Sequence, residues 1–485
     1  MRPDALARFV EALGDLPELH SLMVVRHGYV VAEGWAPPYA PDRPHMLFSL
    51  SKSFTSAAVG LAASEGLLGI DDLVLGHFPD LAPDDPSAHL RALRVRHLLT
   101  MTVGHDAEPG GAELEGTKEW VRTFLAHPVP HEPGTHFLYN TAATYVLSAL
   151  VQRVSGHTLG SYLTPLLYEP LQMDGVTWES SPEGVHTGGY GMSATTEDVA
   201  AFGVLLLQDG VWQGRRVLPS GWVAEATARQ VSNGDGDGDW NQGYGYQFWR
   251  CRHGGYRADG AFGQYCVVLP DEQTVVVMTG ASPDMAVQLQ AVWDHLLPAL
   301  EAGPVDDDPA GRAVLDERLD ALTVPLVAGE ATSAEGDRIS GRACVVDRDR
   351  DQQPGAAAAE GVEQQGGVDA PIDPESILAF VLTTGADADR LTVTFEHGSL
   401  VLEIGHDEPL PGYLPATRQH TGFAVESRGV WPAPDTYVLT VRTVDGPFVI
   451  TLRLVVDGDL VRVEGSVNVA FGPTTFPPLT AHVQA

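Results

Sequence analysis

Residues 49–74 read SLSKSFTSAAVGLAASEGLLGIDDLV, and this stretch decides the fold. Its small and apolar residues predict a helix over 49–66 that ends at Gly66, since glycine favours the left-handed conformation found at helix ends. Ser49 and Lys52 stand three positions apart at the start of this helix, so their side chains share one face. The unpaired N–H groups and the positive dipole end of a helix start would then surround the serine.

Lysine is rare in this chain, which makes Lys52 informative. Of 29 basic residues, only Lys52 and Lys118 are lysines. Arginine stays protonated, whereas a desolvated lysine can lose its proton and act as a base. A serine hydroxyl is a weak nucleophile that a neighbouring neutral amine can activate. The S-x-x-K spacing therefore indicates a nucleophile and its general base, and a surface helix with a polar start is the alternative that the tetrapeptide leaves open.

A second candidate segment is Tyr139-Asn140-Thr141, which lies between a Pro-Gly turn and a predicted helix over 141–155. A tyrosine in such a loop can pass a proton between the serine and a leaving group. Asn140 and Thr141 would then lie beside the substrate. A tyrosine that only packs against its neighbours is the alternative interpretation.

The third candidate segment is ADGAFGQ (258–264), which enters an apolar strand. Its small residues allow close approach of the backbone, so an N–H group at this strand edge can bind an oxyanion. Gly260, Ala261 and Phe262 are the candidate residues. A tight turn into a strand is the simpler alternative.

Together these fragments resemble the serine β-lactamase and penicillin-binding-protein superfamily, in its class C-like and esterase branch. The resemblance covers roughly residues 5–300 and rests on five segments that follow one another in the family's order. These segments are residues 49–74, HLLTMTVG (97–104), YNTAATYVLSALVQRVSGHTLGSYLTPLLYEPLQM (139–173), GMSATTEDVAAFGVLLLQDGVW (191–212) and FGQYCVVLPD (262–271).

The resemblance implies a mechanism and a fold. Ser49 would be the acylated nucleophile, Lys52 its general base, and Tyr139 the group that passes a proton to the leaving group or activates the deacylating water. The N–H groups of Ser49 and of a residue near Ala261 would hold the oxyanion. The implied fold is α+β and β-lactamase-like, with an antiparallel sheet flanked by helices and a helical lobe.

Two departures from the family pattern bear on the substrate. The third position of the tyrosine motif is Thr141, and Ala258-x-Gly260 stands where the family has KTG or HxG. The basic residue of that motif helps to recognise a substrate carboxylate in the family. Its loss favours an ester or amide without that carboxylate over β-lactams and cell-wall peptides, with His253 and Arg257 as candidate replacements.

Composition excludes several classes of function. The chain has 29 basic and 64 acidic residues, a net charge of −35, which disfavours binding to nucleic acid and to anionic membranes. Its 3 cysteines form no CxxC, so neither a disulfide framework nor a zinc-thiolate site is predicted. No long apolar run is present, and the first residues resemble an amphipathic helix more than a signal peptide, which favours a cytoplasmic location.

The chain is predicted to comprise a serine hydrolase domain over 1–303, a linker over 304–335 and a β-rich accessory domain over 336–485. Alternating residues in LTVTFEHGSLVLEIG (391–405) and PFVITLRLVVDGDLVRVEGSVNV (447–469) predict hairpins of an all-β, lipocalin-like barrel. The aromatic-poor stretch 345–374 predicts a flexible loop.

Metal and cofactor sites are not predicted. His127, His131 and His136 cluster in a proline-rich loop without the helical spacing of an HExxH site. The acidic run GDGDGD (234–239) lacks the terminal glutamate of an EF-hand loop. G-x-S-x-G is also missing, which disfavours an α/β-hydrolase.

The sequence thus predicts a serine hydrolase that cleaves a small ester, amide or peptide through an acyl-enzyme on Ser49. Activity as a β-lactamase, a D,D-peptidase or a D-aminopeptidase remains open, as does a catalytically silent binding or scaffold protein. Neither nucleic acid nor membrane is an expected partner, and a homodimer is the assembly considered.

Overall fold

We describe the protein from a computed structural model. It forms two compact units, Met1–Val324 and Pro325–Ala485. The predicted flexible loop falls largely outside the described residues, and the predicted linker contributes the helix Pro309–Asp320 to the first unit. The structure describes residues 2–16, 18–110, 114, 116–300, 303, 308–347, 376–396, 398–415 and 422–484.

The first unit is built on an antiparallel sheet whose central strands are buried on both faces. Side chains alternate along each strand, so Val24 points into one core and Val25 into the other. From edge to edge the strands are Tyr29–Trp35, Leu19–Arg26, Thr274–Gly280, Gln264–Leu269, Tyr256–Gly260 and Trp249–Arg250.

Helices cover both faces of this sheet. Pro3–Gly14, Ala286–Ala291 and Pro309–Asp320 contribute apolar side chains to one core. A helical lobe that includes Ser51–Ser64 and Thr141–Ser155 packs on the other face. The α+β, β-lactamase-like architecture predicted from the sequence is confirmed.

The helix boundaries follow local signals in the sequence. Thr141–Ser155 begins after Asn140, whose side chain accepts from the Ala143 N–H, and ends at Gly156 with φ of 75°. No helix in the described part of the chain is long and apolar enough to cross a membrane. In the described part of the first unit, the other helices are Val74–His77, Ala88–Ala92, Val95–Leu99, Trp120–Ala126, Leu159–Leu163, Glu169–Leu171, Thr196–Leu207 and Trp222–Thr227. It also has 3₁₀ turns at Phe48–Leu50, Asp239–Asn241, Arg252–Gly254 and Leu297–Ala299, and π turns at Thr164–Tyr168 and Val292–Leu296. Its short strands are His45–Met46, Thr177–Trp178, Met192–Ala194, Val211–Trp212 and Arg215–Arg216.

The second unit is a sheet that closes on itself. Within the described residues, Gly405 pairs with Arg428 and joins strand Gly398–Gly405 to strand Phe423–Ala433, so nine strands form a closed barrel. The predicted all-β barrel is confirmed. One short helix, Ala334–Ile339, precedes the strands Ala343–Val346, Ile377–Thr383, Ala388–Phe395, Gly398–Gly405, Leu410–Leu414, Phe423–Ala433, Thr436–Thr443, Val449–Asp457, Leu460–Val467 and Leu479–Val483.

Candidate active site

Ser49 lies in a tight turn at the start of the central helix of the lobe. The 3₁₀ turn Phe48–Leu50 runs directly into the helix Ser51–Ser64. Phe48 has φ of 49°, a left-handed conformation that is uncommon for a bulky residue. The Ser51 hydroxyl donates to the Phe48 carbonyl and accepts from the Met192 N–H, which fixes the turn from inside. Ser49 itself is partly exposed, so a substrate can reach its hydroxyl.

The Lys52 amine lies within hydrogen-bonding distance of the Ser49 hydroxyl. Its Nζ is 3.0 Å from Ser49 Oγ, 2.7 Å from the Gly189 carbonyl and 3.3 Å from Thr141 Oγ1. An uncharged amine has two N–H groups and one lone pair. Gly189 and Thr141 can accept the two N–H groups, which directs the lone pair at the hydroxyl of Ser49. The contacts therefore suit a neutral amine that takes up a proton from the serine.

The surroundings of Lys52 favour that neutral state. Its side chain is 1% exposed, and burial lowers the pKa of Lys52 to about 7, although the charges of Glu108 and Asp259 act to raise it. A base whose pKa lies near neutrality can accept and release protons at ordinary pH.

Tyr139 completes the arrangement. Its hydroxyl is hydrogen-bonded to Ser49, and the Lys52 Nζ lies 4.8 Å from the centre of its ring. The ring stacks on Trp249 at 5.2 Å, which fixes its orientation. Burial, reinforced by the Asp259 charge, raises the pKa of Tyr139 far above its ordinary value. Tyr139 is thus a protonated phenol, suited to donating a proton.

The two residues after Tyr139 differ in their contacts. Asn140 is 1% exposed; its Oδ1 accepts from the Ala143 N–H and its Nδ2 lies 3.0 Å from the His105 ring nitrogen. Both polar atoms of Asn140 are therefore engaged inside the fold. Thr141 is partly exposed and adjoins Lys52, so we carry the prediction of substrate contact forward for Thr141.

The strand Tyr256–Gly260 runs against the nucleophile turn. A Cβ on Gly260 would lie 2.0 Å from the Leu47 carbonyl oxygen, which shows how closely the two backbones approach. Ala261 follows directly, and the ring of Phe262 packs edge-on against Phe48 at 5.3 Å. The segment 260–262 is therefore adjacent to Ser49, where the sequence predicts the second oxyanion donor.

Gly260→Ala is expected to lower kcat/KM by about 100-fold, because the strand must move by about 1 Å to admit a Cβ and catalytic groups tolerate such displacements poorly. Gly76→Ala is the matched control, since a Cβ at Gly76 meets no atom within 4 Å. Steady-state ester hydrolysis by both variants, with circular dichroism of each, measures the effect. Wild-type activity of Gly260→Ala would contradict the close approach.

The two candidate replacements for the missing basic residue lie in different surroundings. Arg257 is 0% exposed, donates to the Asp259 carboxylate at 2.9 Å and lies over the ring of Trp240. His253 is exposed, with its ring 5.2 Å from Trp293. The Arg257 guanidinium is buried and its charge is paired with Asp259, so it offers no free charge for a substrate carboxylate, and the role of His253 stays a prediction.

Sequence reasoning missed two residues that contact the site. Gly189 supplies the carbonyl that accepts from Lys52, and a Cβ there would lie 2.8 Å from Thr141 Cγ2, closer than such atoms normally approach. The Glu108 carboxylate accepts from the Thr141 N–H at the start of the helix. A lone acidic residue in a Pro-Gly loop carries no signal that would have selected it.

The histidine-rich loop forms a small cluster outside the catalytic groups. His131 is hydrogen-bonded to Asp106 at 2.6 Å and stacks on His136 at 4.4 Å. Ligand atoms of these three side chains lie within 4.8 Å of one another, a donor set that zinc accepts. His127 is not part of the cluster and packs against His105. Hydrogen bonding and stacking are sufficient to account for the arrangement.

Comparison with known proteins decides the family. A family model described as Beta-lactamase matches residues 6–298, more than half of the chain. The chain belongs to the Beta-lactamase family. The predicted kinship with β-lactamase-like and penicillin-binding-protein-like serine hydrolases is thereby confirmed.

Several proteins are similar to this Beta-lactamase family member. The 6-aminohexanoate-dimer hydrolase of Paenarthrobacter ureafaciens is 28% identical over 311 residues, which is 58% of this chain and 76% of that protein. A solved structure of a putative 6-aminohexanoate-dimer hydrolase from Bacillus anthracis aligns with a TM-score of 0.50 at 20% identity, over 60% of this chain and 80% of that one. The structure of EstCE1, a hydrolase with promiscuous acyltransferase activity, aligns with a TM-score of 0.50 at 19% identity, over 60% of this chain and 99% of that one. The two structural matches support the fold of the first unit.

Proposed function

We propose that this serine hydrolase cleaves a small ester or amide through an acyl-enzyme on Ser49. The observation that carries the proposal is the 3.0 Å separation between Ser49 Oγ and the Nζ of a lysine that is 1% exposed. Burial lowers the pKa of that amine to about 7, so a substantial fraction of it is uncharged near neutral pH, which is what a serine nucleophile needs from its base.

In the proposed acylation step, Ser49 Oγ attacks the carbonyl carbon while Lys52 takes the hydroxyl proton. The N–H groups of Ser49 and Ala261 donate to the oxyanion, each worth about 3 kcal/mol in related sites. Tyr139 gives its proton to the leaving group and regains one from the Lys52 ammonium. In deacylation, the uncharged Lys52 amine takes a proton from the attacking water, directly or relayed through the Tyr139 hydroxyl, and returns it to Ser49 Oγ as the acyl bond breaks.

The nature of the substrate follows from what the site offers. Ala258 replaces the basic residue of the family motif and Arg257 is sealed in an ion pair, so an ester or amide without a recognised carboxylate suits the site. The similarity to a 6-aminohexanoate-dimer hydrolase adds support for amide bonds. Activity on β-lactams and D-Ala-D-Ala peptides is the competing proposal, and a homodimer stays a prediction.

The proposal is tested by stopped-flow hydrolysis of p-nitrophenyl butyrate. We expect a burst of p-nitrophenol equal to the enzyme concentration, because an activated aryl ester acylates the serine faster than water hydrolyses the acyl-enzyme. Parallel assays with nitrocefin and a D-Ala-D-Ala peptide test the competing activities. A chain that hydrolyses none of these substrates would be the catalytically silent alternative.

The pH profile should report the Lys52 amine. We expect kcat/KM to rise with pH, with a midpoint near pH 7 and a plateau about one unit higher, because only the uncharged amine accepts the serine proton and burial lowers the pKa of Lys52 to about 7. Ester hydrolysis measured between about pH 5 and 9, corrected for the uncatalysed rate, gives this profile. A flat profile would count against Lys52 as the base.

A further inference from the structure

We propose that Glu108 forms a subsite for a positively charged group of the substrate, so that the preferred esters or amides carry an ammonium group. The inference rests on the proposed function, because the subsite adjoins the same catalytic groups. It adds a specificity-determining residue and a class of substrate.

Glu108 lies close to the catalytic amine. Its carboxylate accepts from the Thr141 N–H, and the hydroxyl of the same threonine lies 3.3 Å from Lys52 Nζ. Glu108 is partly exposed, whereas Lys52 is buried. A carboxylate has several lone pairs on two oxygens, so it can accept from an ammonium group while it holds the Thr141 N–H.

The charges around the site favour a cation. The charged groups that act on Lys52 are Glu108 and Asp259, and both are acidic. Asp259 is 6% exposed and paired with Arg257, which is 0% exposed, so this pair offers no charge to a substrate. Of these groups, only Glu108 combines a charge with exposure. The net charge of −35 adds a long-range attraction for cations.

A bound ammonium group would also activate the base. The uncharged groups facing Lys52 are the Ser49, Thr141 and Tyr139 side chains and the Gly189 carbonyl. Among charged groups, Glu108 is the largest influence that holds the Lys52 pKa up. A substrate cation paired with Glu108 offsets this influence, so the Lys52 pKa falls in the complex and more of the amine is uncharged.

The test compares three sets of p-nitrophenyl esters with acyl chains of equal length. One set ends in an ammonium group, one in a methyl group and one in a carboxylate, over several chain lengths. We expect kcat/KM to be about 10- to 100-fold higher for the best ammonium ester than for its methyl partner, as for a hydrogen bond to a charged group, and lowest for the carboxylate ester.

Glu108→Gln should reduce that ratio to near unity. Glutamine retains an oxygen that can accept from the Thr141 N–H, so the helix start is preserved. Asp106→Asn is the matched control, because it removes one negative charge from the same loop at an exposed side chain paired with His131. We expect this variant to keep the preference for the ammonium ester.

A pH profile separates recognition from a purely structural role. In the wild type, the acid limb of the kcat–pH profile should lie about one pH unit lower for the ammonium ester than for the methyl ester. In Glu108→Gln, the acid limbs of the two esters should coincide. The acid limb of kcat/KM reports the free enzyme and should be the same for both esters.

Each outcome decides the matter. Equal kcat/KM for the three sets in a wild-type enzyme that shows a burst would overturn the subsite and leave the proposed function standing. An unchanged ratio in Glu108→Gln would also overturn it, and a lower melting temperature there would mean that Glu108 only caps the helix. Absence of any ester hydrolysis that depends on Ser49 would overturn the proposed function itself.

Discussion

Ser49→Ala is expected to lower kcat/KM for p-nitrophenyl butyrate by about 1,000-fold or more and to abolish the burst. The variant lacks the oxygen that becomes acylated, so turnover would depend on water alone. Ser49 is partly exposed and lies in a turn fixed by Ser51 and Met192, so the melting temperature should change little. Stopped-flow absorbance and thermal unfolding measure the two effects.

Ser51→Ala is the matched control for this loss. Its hydroxyl bonds to the Phe48 carbonyl and the Met192 N–H inside the fold, so its removal leaves buried groups unpaired and should cost about 1–3 kcal/mol of stability. The burst should survive. A Ser49→Ala enzyme that still gives a burst would mean that another residue is acylated.

Lys52→Met is expected to lower kcat by about 100- to 10,000-fold, the contribution of a positioned general base. Methionine fills a similar apolar space without the amine. Because the buried amine is costly to hold in the fold, the variant should be as stable as the wild type or more so. The rise of kcat/KM that is centred near pH 7 should disappear together with the amine. Steady-state kinetics over pH and thermal unfolding provide the measurements.

Lys118→Met is the matched control, since Lys118 is exposed and is the other lysine of the chain. It should retain wild-type kinetics. Lys52→Arg should be as impaired as Lys52→Met, because a guanidinium stays protonated and cannot accept the serine proton. Activity of Lys52→Met within about threefold of the wild type would exclude Lys52 as the base.

Local spacing explains what could be predicted. Ser49 and Lys52 lie on one helical face, and Tyr139 and Thr141 lie at the start of the next predicted helix. The members of each pair are close in space because they are close in the chain. The strands Leu19–Arg26 and Tyr29–Trp35 likewise pair across a short turn at His27-Gly28, so this hairpin is formed by neighbours in the chain. These features require only neighbours in the chain.

Contacts between distant segments explain what could not be predicted. Gly189 and Glu108 reach the site from loops, and nothing in their own sequence indicates that Thr141 and Lys52 lie beside them. Within 243–254, Trp249–Arg250 pairs with the strand Tyr256–Gly260, and Tyr244 and Trp249 pack against Tyr139, which is distant in the chain. Closure of the barrel likewise depends on pairing between segments far apart in the chain, such as Ala343–Val346 and Leu479–Val483.

The catalytic account is tested most directly by trapping the acyl-enzyme. The wild-type protein is mixed with excess p-nitrophenyl butyrate, quenched in acid during the burst, digested and mapped by mass spectrometry. The account predicts a butyryl group on Ser49, and none on that peptide in Ser49→Ala or in a sample quenched before mixing. A butyryl group on a different residue, or turnover without any acylated peptide, would contradict it.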